Sequence, residues 1–371
     1  MNNKNKLWKL ACGFFGLILS LAAYADSDPV VISSDAHLTA SSTHYADRDV
    51  IVDGAVLTLD GEYHFRNLHL TNQARVTHSV GEPLRLLISE TLEIDGTSAI
   101  DVTGRGDVGT FTSSIYGGSY GGAGGPRAED ETFGDFEKPT SFGLSRFTGV
   151  RGGGVVRISA DHLLLDGSII SDGQQSGHSG GGGSGGSIWL TVRELSGSGR
   201  ISASGGPGGS GTTGYGGGGG RVALYYETSN GFDLLNIEAL GGISTGTYSN
   251  GGAGSVYYKN TTDGASTLRY YGSTPSSLLN LVQGPIPDGA TLEVVSTRVL
   301  IANVDEEPSQ SSTSVGADRH IRVNDGYLNF EPVPSDSLPS RWETVILEGD
   351  AVVSHSAISR DDASTHTGIH W

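Results

Sequence analysis

Gly180-Gly181-Gly182-Gly183-Ser184-Gly185-Gly186-Ser187-Ile188-Trp189-Leu190 is a glycine run that ends abruptly in a strand, and the pattern recurs. Gly216-Gly217-Gly218-Gly219-Gly220-Arg221-Val222-Ala223-Leu224-Tyr225-Tyr226 repeats it, and shorter glycine clusters precede Val155-Val156-Arg157-Ile158 and Ser255-Val256-Tyr257-Tyr258. With Val156, Ile188, Val222 and Val256 taken as equivalent, the steps are 32, 34 and 34 residues. Two positions on stand Ile158, Leu190, Leu224 and Tyr258. Side chains alternate across a strand, so each strand turns one apolar face inward.

A second column fixes the register. Ile100, Ile169, Ile201 and Ile237 each stand four residues before a glycine, and two positions on come Val102, Ser171, Ala203 and Ala239, small or apolar enough to share an interior. A unit of this size cannot bury its own apolar face, so neighbouring units must complete the core. Parallel stacking brings equivalent residues into continuous columns, which predicts an all-β solenoid with its glycine-rich loops stacked beside it. A β-sandwich or propeller also uses short, evenly spaced strands, but sandwiches rarely place glycine tracts at the same point of every repeat. An earlier rung is expected at Leu86-Leu87-Ile88, 70 residues before Val156, with residues 127–150 as an acidic insertion.

The flanks carry a longer duplication. Asp49 to Ser79 is echoed by His320 to Ser356, and both copies end in Ala-x-Val-x-His-Ser. The division expected is a leader at 1–25, an N-terminal β-repeat or cap at 26–83, the glycine-rich solenoid at 84–260 and a β-rich connector at 261–319. Residues 320–371 read as an incomplete, truncated second copy of the N-terminal repeat.

The first residues read as a secretory signal peptide. Lys4, Lys6 and Lys9 precede the apolar stretch Leu10 to Ala23, which closes on the small-x-small site Ala23-Tyr24-Ala25. That stretch is short of the roughly 20 residues that span a bilayer, so no membrane span is expected after cleavage. Loss of the three leader lysines from a net charge of −18 leaves −21, which argues against nucleic acid and anionic lipid as partners. Cys12, the one cysteine, lies in the leader, so neither disulfides nor thiolate metal sites hold the remainder. Glycine accounts for 58 of 371 residues without a Gly-X-Y period, which sets collagen aside.

The glycine runs quoted above, with Gly117-Gly118-Ser119-Tyr120-Gly121-Gly122, resemble a loosely defined group of bacterial surface and secreted proteins built from glycine-rich, pectin-lyase-like right-handed β-helix repeats. The resemblance covers roughly residues 50–260. It implies a right-handed parallel β-helix and an exported, adhesin-like or matrix role, extracellular, at the cell surface or in the periplasm. It brings no catalytic motif that transfers to these residues.

The chemistry-bearing residues do not gather. A polysaccharide hydrolase of this fold needs carboxylates collected on one strand face, whereas Asp95, Asp101, Asp166 and Asp172 each lie beside a turn glycine, where aspartate serves the turn. A lyase needs a basic residue beside a charge-neutralising group, yet Lys138 and Lys259 are the only lysines past the leader, and arginines such as Arg157 and Arg193 take outward strand positions. Such an enzyme is the alternative function; the expected one is structural and adhesive. His64 and His69, five apart, are expected on opposite faces, and His366 and His370 lie in a non-helical context, so no metal site is expected. Nothing in the sequence calls for a cofactor.

Function is expected in the glycine tracts. Gly/Ser composition alone would make them linkers, but each is pinned at both ends by stacked strands, and chains without Cβ atoms can approach closely and exchange hydrogen bonds. Tyr116, Tyr120, Tyr215 and Tyr248 stud the tracts, and flat aromatic surfaces suit the rings of a polysaccharide or cell-surface glycan. These four are the candidate binding residues.

Overall fold

A computed structural model describes residues 28–39, 45–108, 115–125, 132–177, 180–209, 214–244 and 248–272, followed by seven strands between 279 and 355, of which 290–295 is described with its side chains. The leader at 1–25, the acidic run Glu129-Asp130-Glu131, Asp361-Asp362, His366 and His370 lie outside the described residues. No α-helix appears among the described residues; the fold is all-β.

The strands up to residue 260 are β1 (Val30–Ile32), β2 (Ala36–Leu38), β3 (Asp49–Asp53), β4 (Val56–Leu59), β5 (Gly61–Phe65), β6 (Asn67–Thr71), β7 (Arg75–Thr77), β8 (Leu84–Ile94), β9 (Ala99–Asp101), β10 (Val155–Leu165), β11 (Ser168–Ile170), β12 (Ser187–Ser196), β13 (Arg200–Ser202), β14 (Arg221–Asn230), β15 (Ile237–Glu238) and β16 (Ser255–Asn260). They sort into two many-stranded sheets in which every pairing is parallel. One runs β1-β3-β6-β8-β10-β12-β14-β16, with β5 also on β8; the other runs β15-β13-β11-β9-β7-β4-β2. The arrangement is compatible with a β-solenoid.

Register follows the apolar columns. Val156 pairs with Ile188, Ile188 with Val222 and Val222 with Val256, while Ile169 pairs with both Ile100 and Ile201, and Ile201 with Ile237. All eight are buried and belong to one core that extends from Ile32 to Val256. Full burial of a Val or Ile side chain stabilises by roughly 1.5–3 kcal/mol, so the columns are the main source of cohesion. One expected register is corrected. Val156 pairs with Leu84, not Leu86, which pairs with Ile158, and the pairing is direct, so the long step is one rung carrying an insertion.

His64 and His69 are also corrected. Both face outward, because Arg66 separates β5 from β6 and resets the alternation, with Tyr63, Phe65, Leu68 and Leu70 pointing inward. β8 pairs with β5 through its first half and with β6 through its second, and a register shift between Ala160 and His162 of β10 marks the same corner. Long strands therefore turn a corner without a loop.

The direction of the chain reverses at residue 260. β16 and β17 (Ser266–Tyr271) form an antiparallel hairpin whose turn carries Gly264 at φ +82°. Parallel pairing then resumes through β18 (Leu279–Val282), β19 (Ala290–Val295), β20 (Arg298–Ile301), β21 (His320–Asn324), β22 (Tyr327–Phe330), β23 (Thr344–Glu348) and β24 (Val352–His355). β17-β19-β21-β23 extend the first sheet to thirteen strands in all, and β18-β20-β22-β24 form a separate four-stranded sheet. β21 pairs with β23 and β22 with β24, as β3 pairs with β6 and β4 with β7, so the duplicated sequence repeats a duplicated pairing. The segment expected as a connector thus supplies rungs of this second series.

The hairpin moves the core to the opposite side of the sheet. Val256 pairs with Arg269 and Tyr257 with Leu268, and directly opposed residues share a face. Val256 belongs to the first core, so Tyr257, Leu268 and Tyr270 point the other way, where Leu268 and Tyr270 pair with the buried Leu292 and Val294. Arg269 is turned back toward the first core. Its Nη2 donates to the carbonyls of Leu234 and Ile237 at 2.9 and 2.7 Å, and its guanidinium lies 5.7 Å from the Tyr258 ring centroid. A buried arginine so engaged closes the end of the first core by satisfying carbonyls that no further strand reaches.

Candidate functional site

The glycine tracts form an ordered layer outside the strands. Each repeat leaves its second-sheet strand through an outgoing chain, near Gly173, Gly205 and Gly241, and re-enters the long sheet through a return chain, near Gly183, Gly217 and Gly251. One line of hydrogen bonds crosses the layer, the N–H of Gly251 donating to Gly242, Gly242 to Gly217, Gly217 to Gly206, Gly206 to Gly183, Gly183 to Gln174 and Gln174 to Arg151, at 2.7–2.9 Å. Carbonyl oxygens stand where a Cβ would be at position after position, including Gly182, Gly205, Gly217, Gly242 and Gly251, each inside the 3.0 Å that real Cβ atoms respect. Close approach of backbone to backbone is thus the reason for the composition. Extended chains exchanging bonds sideways, outside any strand, also pair the polar groups that such a buried layer would otherwise leave orphaned.

The long segment between β9 and β10 adds a third layer. Gly118 donates to Gly182 at 2.8 Å and accepts from Gly218 at 2.9 Å, and Gly122 donates to Gly219 at 2.8 Å. Leu144 accepts from the Ser184 N–H at 2.8 Å, and its own N–H donates to Ser184 Oγ at 2.9 Å. The Gly117–Gly122 stretch is therefore not a return chain of the repeat: it belongs to the insertion, which is wider than 127–150.

Three of the four candidate tyrosines meet on this layer. Tyr116 lies 5.4 Å from Tyr215, and Tyr215 lies 4.8 Å from Tyr248, centroid to centroid, with interplanar angles of 31° and 49°. They come from the insertion, a return chain and the next loop, and all three are partly exposed. Burial, together with the two neighbouring phenols, raises the Tyr215 pKa.

Tyr120 does not join them, which corrects its place among the surface residues. It is 0% exposed, its hydroxyl lies 2.8 Å from Ser187 Oγ, and its ring packs on Phe133 at 5.0 Å. The reason is local: Tyr120 sits where the insertion doubles back between Gly118 and Gly122, and the reversal turns it in toward the strands.

That inner side of the insertion covers the outer face of β14 and β16. Arg221, 1% exposed, donates through Nε to the Phe133 carbonyl and through Nη1 to Ser255 Oγ, both at 2.9 Å. Its guanidinium stands 5.5 Å from the Tyr120 ring centroid. Tyr225 donates to the Glu137 carbonyl at 2.9 Å, and Phe136 meets Tyr257 edge-on at 5.7 Å. Burial pushes the Tyr257 phenol up to about 12. Sequence reasoning missed this face. Bulk at an outward position was no signal for it, because the column that holds Tyr257 also holds Arg157 and Trp189.

Two of the four aspartates serve their own turns, Asp95 through Thr97 and Asp101 through Thr103, while Asp166 and Asp172 bond residues of the following repeat, 30 to 32 positions on. Asp95 accepts from the N–H groups of Asn72 and Thr97, Asp101 from Thr103 and Asp166 from Ser198, each at 2.9 or 3.0 Å. Asp172 accepts from Ser202 Oγ and the Ser204 N–H, both at 2.6 Å, while burial raises its pKa despite those bonds. Arg193 is held by both oxygens of Asp161, at 2.6 and 3.0 Å, and Arg157 lies over the Trp189 ring at 4.1 Å. Among the described residues no group of three or more His, Cys, Asp or Glu is placed to hold a metal ion, and no helix is long and apolar enough to cross a membrane.

Compared with known protein families, curated proteins and solved structures, the chain matches none of them.

Proposed function

We propose that residues 30–260 form a right-handed parallel β-helix, that the protein is exported, and that its role is structural and adhesive, with glycans bound at the tyrosine ladder of the glycine layer. The observation that carries the reading is the ladder itself: three partly exposed aromatic rings from three separate passes of the chain, held on a layer that each pass helps to bond. A sugar ring gains from an aromatic face held at low conformational cost, with hydroxyls at the rim for its own hydroxyls. A role without catalysis is supported by the carboxylates, since Asp95, Asp101, Asp166 and Asp172 accept from backbone N–H and hydroxyl groups of their own and neighbouring passes, and Asp101 also pairs with Arg75.

The test is retention on an immobilised polysaccharide panel, with release of reducing ends followed in parallel. The reading expects retention without depolymerisation, and a marked loss of retention in Tyr116→Ala/Tyr215→Ala/Tyr248→Ala. Undiminished retention in that variant moves the site off the ladder; depolymerisation overturns the non-catalytic role.

A further inference from the structure

We propose that Tyr116, Tyr215 and Tyr248 are an oxidative cross-linking site, at which a peroxidase-type one-electron oxidant spending hydrogen peroxide joins Tyr215 to Tyr248 or to Tyr116 as dityrosine. Three features of the site converge on this chemistry. The rings are already in contact, at 4.8 and 5.4 Å between centroids, so coupling needs a tilt and a small approach rather than a search. All three are partly exposed and open to an oxidant. The phenols share one neighbourhood, since Tyr116 and Tyr248 are both felt by Tyr215.

The reaction balances. Each of two phenols gives up one electron and one proton, leaving phenoxyl radicals whose spin density lies partly on the ring carbons ortho to oxygen. Two ortho carbons form the new C–C bond, and the hydrogen on each shifts to its oxygen, which restores both aromatic phenols. The two electrons and two protons reduce one peroxide to two waters, so the product is lighter than the two tyrosines by two hydrogens.

The link has a structural consequence. Tyr215 lies just before the return chain Gly216–Gly220, Tyr248 in the following loop and Tyr116 in the insertion, so either bond staples separate passes of the glycine layer. The chain has one cysteine and cannot form an intrachain disulfide to do this. Tyr225 and Tyr257 supply an internal control. Their rings also approach, to 5.8 Å, but Tyr257 is 0% exposed and the Tyr225 hydroxyl is bonded to the Glu137 carbonyl.

The inference does not rest on glycan binding, because Tyr→Phe keeps the stacking ring and removes the phenol that is oxidised. The full chain is treated with peroxidase and hydrogen peroxide, and the monomer is assayed for dityrosine fluorescence and for peptide pairs lighter by two hydrogens. The expected product joins the Tyr215 peptide to that of Tyr248 or Tyr116. Tyr215→Phe, which removes the partner common to both pairs, lowers monomer dityrosine about tenfold; Tyr225→Phe leaves it unchanged, and circular dichroism confirms that both variants are folded. Absence of dityrosine from the monomer, linkage only between molecules or through exposed tyrosines such as Tyr271, or an unchanged yield in Tyr215→Phe each overturns the proposal.

Discussion

Gly217→Ala is the substitution that weighs the glycine layer. A methyl at position 217 meets the Gly183 carbonyl carbon at 2.5 Å, whereas carbon atoms rest about 3.5–4.0 Å apart, so the two return chains must part by about 1 Å. That motion stretches the two bonds that bridge the parting chains, from Gly217 to Gly206 at 2.9 Å and from Gly206 to Gly183 at 2.7 Å, beyond hydrogen-bonding range. Two buried backbone pairs left open cost about 1–3 kcal/mol each. Alanine returns roughly 0.4–1 kcal/mol by restricting the unfolded chain. The net expectation is a loss of about 3 kcal/mol, confined to the layer, with the strands around Val222 and Leu224 retained because their columns do not involve the methyl. Chemical denaturation with limited proteolysis of the loops measures it. Gly177→Ala is the control, since a Cβ there meets nothing within 4 Å. A Gly217→Ala protein within about 0.5 kcal/mol of wild type, the range of an ordinary surface change, refutes the reasoning.

Ile201 is 0% exposed between Ile169 and Ile237, so Ile201→Asp loses apolar burial and places an unpaired charge between rungs, at about 3–5 kcal/mol; an unchanged melting temperature contradicts the stacked core. His78 is buried with Nδ1 donating to the Ser79 carbonyl and Nε2 accepting from the Val155 N–H, at 2.7 and 3.2 Å. Burial lowers its pKa, with Arg105 also lowering it and Asp60 opposing. The unfolded chain therefore binds the proton first, so the stability His78 confers is present above its unfolded value of about 6.5 and is lost as pH falls through the depressed folded value. Denaturation midpoints at pH 7 and pH 5 are expected to drop less in His78→Asn than in wild type; an equal drop assigns the pH dependence to other groups.

The repeat was legible where one physical rule acted alone. Val156, Ile188, Val222 and Val256 obey strand alternation and a steady spacing, and their pairing is the expected one. The isoleucine column behaves likewise. Tyr120 was misplaced because composition does not distinguish a glycine chain of the repeat from one of the insertion; only the backbone reversal decides which way its side chain points. The reversal at Gly264 was missed for a related reason. Leu268, Leu292 and their strands keep period-two alternation, but no glycine tract precedes them, so the feature that marked earlier rungs was absent. The covered outer face depends on contacts across 88 residues, between Arg221 and Phe133 and between Tyr225 and Glu137, which no local pattern encodes.

The central claim, that the glycine tracts are an ordered hydrogen-bonded layer, is tested most directly by amide hydrogen exchange at Gly183, Gly206, Gly217, Gly242 and Gly251. Each of these N–H groups donates to a carbonyl of another pass of the chain at 2.7–2.9 Å. The account predicts protection of the same order as at Ile188 and Val222 in the neighbouring strands, since opening one amide requires the layer to part. Exchange at the rate of unstructured glycine, with Ile188 and Val222 still protected, would contradict it.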